Sequence, residues 1–406
     1  MAVNLHPPAS LLPVAGARLG SAEAAIKKPG RKDLLLIELV PGSRVAGVFT
    51  RNAFCAAPVQ LCREALGRGT AIRGLLINSG NANAGTGKAG HEAAWETMAA
   101  AAAQLGCAPE QVLPFSTGVI GQKLPADRVK AALPAAKADL VTEGWMQASR
   151  TIMTTDTLPK GASRQVQTSQ GLVTVTGVSK GAGMICPDMA TLLAFVGTDA
   201  RLTQAATQAC LNAAVGKSFN CVTVDGDTST NDSCVFFATA QVGTAEVDEQ
   251  HPDYAIIAAA VTEVCTELAQ AIVRDGEGAT RFITIEIAHA KSEGEARLAA
   301  YALAHSPLFK TAAFAGDANW GRILAAVGRS GIEGLDVSRI SVRVDDVELL
   351  VNGEPHLDYR EERGAAVFAK PEYRIRIDLG RGDAGVTVWT CDFSYDYVKI
   401  NAEYRT

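Results

Sequence analysis

The chain has 406 residues, 48% of them apolar and 20% charged, enough for a large core arranged as one big domain or two smaller ones. A net charge of -5 and a pI near 5.8 argue against a nucleic-acid scaffold, which carries a basic footprint. No apolar run reaches the ~18 residues of a membrane span, and the first twenty residues read as neither a signal peptide nor a transit peptide.

In chain order, 34–40, 44–50 and 73–78 read as short buried strands. The Ala-rich stretch 89–105 is helix-forming and is stopped by Gly106. The β-branched runs 171–179 and 233–241 are strand-like. Between Ile257 and Ile272, apolar residues recur at helical spacing (Val261, Val264, Leu268), and Asp275-Gly276 ends that helix. Segment 281–288 alternates, with Ile283, Ile285 and Ile287 on one face. Segments 340–352 and 373–380 read as strands joined by a charged, Pro-containing stretch, and 320–327 as a helix. The fold class is α/β with layered sheets and helices; the order of elements alone does not separate a sandwich from a doubly wound sheet.

The nine cysteines (55, 62, 107, 186, 210, 221, 234, 265 and 391) include no CxxC pair, and the six histidines form neither HxxxH nor HExxH. This argues against a disulfide framework or structural zinc and points to reduced thiols in a cytoplasm. Asp225-Gly-Asp-Thr-Ser-Thr-Asn-Asp232 is rich in oxygen ligands but lacks the glutamate of an EF-hand loop. It reads better as a polar loop bordering an active site than as a metal site. No nucleophile elbow, P-loop or dinucleotide fingerprint is present.

One stretch carries a chemical proposition: Lys180-Gly-Ala-Gly-Met-Ile-Cys-Pro-Asp-Met-Ala190-Thr191, followed at once by the apolar run 192–196. A threonine hydroxyl is a poor nucleophile unless a base takes its proton. If the Ala190–Thr191 bond breaks, Thr191 acquires an α-amine with a pKa of about 7.7–8.0, so base and nucleophile lie on one residue. Small Ala190 and the glycines let the backbone bend enough for the hydroxyl to reach the preceding carbonyl. On spacing alone, the same stretch reads as a Gly/Pro turn leading into a buried strand.

Segment 180–195 closely resembles the processing site of the ornithine acetyltransferase family, the glutamate N-acetyltransferases of arginine biosynthesis. Met153-Thr-Thr-Asp-Thr157, Phe115-Ser-Thr-Gly-Val-Ile-Gly121, Asn78-Ser-Gly-Asn-Ala-Asn-Ala84, Gly316-Asp-Ala-Asn-Trp-Gly-Arg322 and Asn401-Ala-Glu-Tyr-Arg-Thr406 are also similar to family motifs, in order and at plausible spacing. The resemblance implies an αββα sandwich of the type shared with certain aminopeptidases, and a smaller α/β lobe at roughly 281–390. It implies self-cleavage into an α chain (1–190) and a β chain (191–406) that stay together, usually as α2β2.

The resemblance also implies roles. Thr191 is the nucleophile, and Ala190 and Thr191 flank the cleaved bond. Thr117 and Gly118 supply the oxyanion hole, as neutral donors aimed at a developing alkoxide. Substrate contacts fall on Thr154, Lys180, Thr191, Glu277, Asn401 and Thr406, with Lys180 suited to a substrate carboxylate and Glu277 to ornithine's side-chain ammonium. Without the resemblance, Ser116-Thr117-Gly118 is an ordinary turn, Lys180 and Glu277 are solvated charges, Thr154 caps a turn, and Asn401 and Thr406 belong to a frayed tail. Val398, Ile400 and Tyr404 give that tail apolar side chains with which to pack. Cys186 and Asp188 occupy positions that vary in the family and receive no role. The N–H groups ahead of Trp320 are a candidate carboxylate site.

The implied reaction is ping-pong: N2-acetylornithine gives its acetyl group to Thr191, and glutamate takes it. No cofactor or metal is needed; acetyl-CoA as a further donor is left open. Two rivals stand beside it. One is an aminopeptidase or amidase on the same fold, passing the acyl group to water. The other is a binding protein that never cleaves itself.

Overall fold

The computed structural model describes residues 2–186 and 192–403. Thr191, Ala190, Asp188 and Thr406 lie outside the described residues. The chain divides into two compact units. The larger comprises His6–Asn220 and Asp227–Ile272; the smaller takes in Cys221–Gly226 and the chain from Val273 onward, with the residues up to Leu5.

Through the larger unit the elements run β1 (Ala17–Ala22), β2 (Leu34–Leu39), β3 (Arg44–Phe49), α1 (Ala57–Gly67), β4 (Gly74–Asn81), α2 (Gly87–Leu105), β5 (Val112–Val119), α3 (Ala126–Ala138), α4 (Trp145–Thr151), β6 (Lys160–Thr168), β7 (Gly171–Lys180), β8 (Leu193–Leu202) and α5 (Gln204–Lys217). After β9 (Val222–Thr223), which belongs to the smaller unit, come β10 (Ser233–Val247) and α6 (Pro252–Arg274). Two sheets form, in the orders β1-β2-β4-β5 and β3-β10-β8-β7-β6. Their facing sides make one core: Leu35, Ile37, Ile77 and Phe115 from the first meet Val178, Phe195, Val235 and Phe237 from the second. Phe115 and Phe195 touch edge to face at 5.0 Å.

The outer side of the first sheet (Leu34, Leu36, Leu76, Val112) is covered by alanines and leucines of α2 and α3. The second sheet is covered by α5, on β3 and β10, and by α6, on β7. A side chain at Gly177 on β7 would come within 3.0 Å of Val264 and Leu268 on α6. The layering is α-β-β-α, which settles what the order of elements left open. It also explains the unbroken apolar character of β8, whose residues are buried on both faces along most of its length.

Helix α6 passes for a membrane span by length and average composition, with a mean hydropathy of 1.6 over 18 residues, but Glu263 and Glu267 interrupt it, so it is no unbroken apolar run. In the fold it is a core helix. Ile257, Val261, Val264, Leu268 and Ile272 are buried, and Glu263 and Glu267 on its outer face pair with Arg164.

The smaller unit holds β11 (Phe282–Ala290), α7 (Glu293–Ala304), α8 (Pro307–Ala315), α9 (Trp320–Gly328), β12 (Ser341–Val344), β13 (Val347–Val351), β14 (Glu354–Pro355), α10 (Glu361–Phe368), β15 (Glu372–Asp378), β16 (Ala384–Cys391) and α11 (Tyr395–Ala402). Its sheet runs β14-β13-β12-β15-β11-β16-β9. The alternation expected in β11 and β15 is present: Ile283, Ile285, Ile287, Tyr373, Ile375 and Ile377 join one core with α7, α8 and α9. Segment 340–352 is a hairpin rather than one strand. The chain turns at Asp345-Asp346, where Asp345 has φ 46 and its carboxylate accepts from the Arg374 N–H at 2.9 Å. The charged connection that follows contains α10.

Candidate active site

Thr117 lies on β5 opposite Ser79 and Asn81 of β4. Next to it, Gly118 has φ 133, and a side chain there would sit 2.3 Å from the Gly80 carbonyl carbon. Both facts require glycine, and they place the two strand ends in close backbone contact. Asn231, in the loop just ahead of β10, stitches this corner, donating from Nδ2 to the carbonyls of Ala82 at 2.6 Å and Ser116 at 2.9 Å. Ser116 Oγ donates to Asn78 Oδ1 at 2.6 Å. The turn at 116–118 is thus held on three sides.

Lys180 ends β7, opposite Leu193 on β8. Far from being a solvated surface charge, it is 9% exposed, and its Nζ donates to Thr117 Oγ1 at 3.2 Å. Thr117, Lys180, Gly183, Leu192, Asn231 and Asp232 line one small cleft. Leu192 is the residue that follows Thr191, and the Ser233 N–H donates to the Leu192 carbonyl at 2.8 Å. Thr228 Oγ1 donates to the Cys186 carbonyl at 3.1 Å on the other side of the undescribed stretch.

Thr154 is tied to the same region by a residue the sequence reading passed over. The Asp156 carboxylate accepts from the Thr154 N–H at 3.0 Å, the Gly181 N–H at 2.7 Å and Lys160 Nζ at 2.6 Å. Both side chains of the Asp156–Lys160 pair are fully shielded from solvent. Burial alone would raise the Asp156 pKa. The charges of Lys160 and Lys180, with the Gly181 and Lys160 hydrogen bonds, hold it instead well below the usual carboxylate range. At i and i+4 such a pair reads in sequence as an exposed salt bridge; its position inside the Met153–Thr157 motif was the available signal.

Asp232 is the opposite case. It is 2% exposed, and its Oδ2 has no hydrogen-bond partner among the described residues. Burial pushes its pKa well above the usual range, only partly offset by hydrogen bonds from Ser229 and the charge of Lys180. The folded protein therefore holds a proton on Asp232 at pH values where the unfolded chain, ionising near pH ~3.9, has lost it. Stability falls as pH rises through that window, by at most about 1.4 kcal/mol per pH unit. Asp232→Asn removes this term, so its Tm relative to wild type should climb as pH rises from about 4. Thermal melts across that range check it; parallel curves would mean that Asp232 ionises in the fold.

Glu277 and Asn401 belong to the smaller unit, where they meet. Asn401 Nδ2 donates to Glu277 Oε2 at 3.0 Å, and Glu277 is 7% exposed. Ser394 caps α11 and donates to the Gly278 carbonyl at 2.6 Å. At Gly278, with φ 70, a side chain would fall 2.3 Å from the Tyr397 N–H nitrogen. Asp392 accepts from the N–H groups of Thr280 and Arg281, both at 2.8 Å. The segment carrying Asn401 is therefore a docked helix and not a frayed tail. The contacts differ from those expected: Val398 and Ile400 are 64% and 37% exposed, and polar bonds with the Phe393–Tyr397 stack do the holding.

A sequence profile of the ArgJ family matches residues 18–406. The chain belongs to the ArgJ family. The arginine biosynthesis bifunctional protein ArgJ of Methylococcus capsulatus is 54% identical over 396 residues, covering 98% of this chain and 97% of that protein. Among solved structures, the arginine biosynthesis bifunctional protein ArgJ of Bacillus halodurans is 38% identical over 51% of this chain and 96% of its own, with TM-score 0.48. Ornithine acetyltransferase of Mycobacterium tuberculosis complexed with ornithine is also 38% identical, over 44% of this chain and 94% of its own, with TM-score 0.41.

Proposed function

We propose that this ArgJ family enzyme of arginine biosynthesis cleaves itself between Ala190 and Thr191 and then carries an acetyl group on Thr191 from N2-acetylornithine to glutamate. The observation that carries the reading is the Thr117 hydroxyl, which accepts from Lys180 Nζ at 3.2 Å in the cleft that Leu192 also lines. To that hydroxyl and the Gly118 N–H next in sequence we assign the oxyanion, which an acyl-transfer site holds at about 2.7–3.1 Å from such donors.

The bonds balance in two half-reactions. The α-amine of Thr191 takes the proton from its own Oγ, which attacks the acetyl carbon of N2-acetylornithine. The carbonyl electron pair moves onto oxygen, facing Thr117 and Gly118. When the pair returns, the bond to ornithine's α-nitrogen breaks and that nitrogen takes the proton. Acetyl-Thr191 remains. Glutamate's amine then attacks the same carbon, and Thr191 Oγ leaves with a proton. Thr154, Lys180, Glu277, Asn401 and Thr406 are the side chains we assign to substrate, with Glu277 the counter-charge for ornithine's side-chain ammonium. The acetyl group rides on the protein, so the cycle needs no cofactor. Acetyl-CoA as a second donor, an α2β2 assembly of the two fragments and a cytoplasmic setting complete the proposal.

Brief incubation with N2-acetylornithine and no acceptor should add one acetyl group, mapped by peptide mass spectrometry to Thr191, and initial rates with glutamate should give parallel double-reciprocal lines. Intersecting lines without an acetylated fragment would replace the covalent route with direct transfer. Acetate release in place of transfer to glutamate would make the enzyme an amidase.

A further inference from the structure

We propose that Asn231 is a positioning residue for acyl transfer: its amide fixes the corner Ser116-Thr117-Gly118 against the head of β8, the strand that follows the nucleophile in sequence. The inference rests on Thr117 and Gly118 holding the oxyanion, as assigned above.

A side-chain amide has two N–H donors and one carbonyl acceptor. In Asn231 all of this capacity is spent in one buried place. Nδ2 donates to the carbonyls of Ala82 at 2.6 Å and Ser116 at 2.9 Å, and Oδ1 accepts from Thr230 Oγ1 at 2.6 Å. Backbone carbonyls only accept, so the nitrogen must face them, and the orientation of the amide is fixed by its partners. No other side chain of this shape does the same. An aspartate offers no donor when ionised and one when neutral, so at least one buried carbonyl would lose its partner, at a cost that favours movement of the chain carrying it. The two carbonyls lie just beyond β4 and within β5, the strands whose ends touch at Gly80 and Gly118.

The same residue is two positions from the ladder that holds β8. The Ser233 N–H donates to the Leu192 carbonyl at 2.8 Å, and Ser233 pairs with Leu193. From the residue after Thr191 to the residue before Thr117, the path therefore runs through one backbone hydrogen bond, the short chain 231–233 and one amide hydrogen bond. It joins the two facing sheets at the cleft that Thr117, Leu192 and Asn231 all line.

A link positions only if its own base is rigid. Every carbonyl from Thr228 to Asp232 has a donor: Asn52 Nδ2 at 2.9 Å, Thr50 Oγ1 at 2.7 Å, the Ala56 N–H at 2.9 Å, Ser233 Oγ at 3.0 Å and the Thr50 N–H at 3.0 Å, in that order. Four of these come from the segment after β3, which backs the loop. The Asn231 N–H is itself bound by Ser229 Oγ at 3.2 Å. Displacing a reacting group by about 1 Å costs on the order of a hundredfold in rate, and this loop sets the oxyanion donors relative to the strand head on that scale.

The test is the rate constant of acyl-enzyme formation, read by rapid quench and mass spectrometry on the fragment that begins at Thr191. It depends neither on the acceptor nor on how much of a variant has cleaved. Asn231→Asp should slow the step on the order of tenfold to a hundredfold, with KM little changed. Thr230→Val removes only the bond to Asn231 Oδ1 and nearly keeps the shape. It should melt close to wild type and lose rate in the same direction by a smaller factor, and it carries the test if Asn231→Asp does not fold. In a Thr117→Ala background either change should cost much less than in wild type, because both act on the placement of one donor pair. Losses that multiply in the double variants, a change confined to KM, or a lowered Tm with the rate intact would overturn the proposal and leave Asn231 a stabilising residue. A wild type that forms acetyl-Thr191 but passes it only to water would defeat the acceptor assigned above and leave these comparisons readable. A wild type that is never acetylated would defeat that reading itself, and this proposal with it.

Discussion

Replacing Thr191 by alanine should leave a single 42.4 kDa chain and reduce acetyl transfer on the order of a millionfold, the scale seen when a nucleophile is removed. Both losses have one cause. In the proposed mechanism cleavage begins when the hydroxyl attacks the preceding carbonyl, and transfer when the same hydroxyl attacks an acetyl group; a methyl group does neither. Thr191→Ser keeps the hydroxyl but lacks the branch that restricts χ1, so it should cleave slowly and turn over at a reduced rate. Intact mass spectrometry shows the fragments, one beginning at residue 191 in the wild type, and a transfer assay gives the rate. An uncleaved wild type with full activity would sink the mechanism.

Asp156→Asn should be the most destabilising single change near the site. It removes an ion-pair partner from Lys160, fully buried, and removing one partner of a buried pair costs about 3–5 kcal/mol. For a unit of this size that is on the order of 10 °C in Tm. The sign with pH follows from the depressed Asp156 pKa. Its contribution is fully present above the unfolded value of about 3.9 and is lost as pH falls toward the folded value. The gap between wild type and variant should thus be steady near neutrality and shrink in acid. Asp156→Asn with Lys160→Met removes both charges and should regain much of the stability. Activity should stay low, because the carboxylate that binds the N–H groups of Thr154 and Gly181 is still missing. Thermal melts and transfer rates on the same preparations separate the two roles; full recovery of activity would reduce Asp156 to a stabilising residue.

What could be read from sequence depended on contrast. The β-branched runs of β7 and β10, the apolar start of β8 and the alternation of β11 and β15 stand out from their surroundings, and Gly106 marks the end of α2 with the left-handed turn expected of it. Helices α3 and α5 do not stand out: Ala-rich on both faces, with Pro134 inside α3, they bury small side chains and give little amphipathic signal. At the site, the strand-side residues Thr117, Gly118 and Lys180 lie in motifs. Asn231 and Asp232 sit in an oxygen-rich loop whose composition suits a solvated turn as well as a buried corner. Only the packing of β10 against β8 decides between them, and that contact joins residues forty apart in sequence. Asp156 was hidden by the same rule that makes i,i+4 pairs on helices ordinary: here the pair spans a bend into β6, and both charges face inward.

The order β3-β10-β8-β7-β6 has one more consequence. A break ahead of Thr191 would assign β3, β6 and β7 to one fragment and β8 and β10 to the other. The downstream pair is then wedged between upstream neighbours, zipped to β7 along one seam and to β3 along the other. Two pieces interleaved in this way have no separable surface. Neither could leave without tearing a sheet open on both sides, so dilution would not part them and partners would not be exchanged between molecules. Scission would turn one chain into two while leaving a body that still unfolds as one.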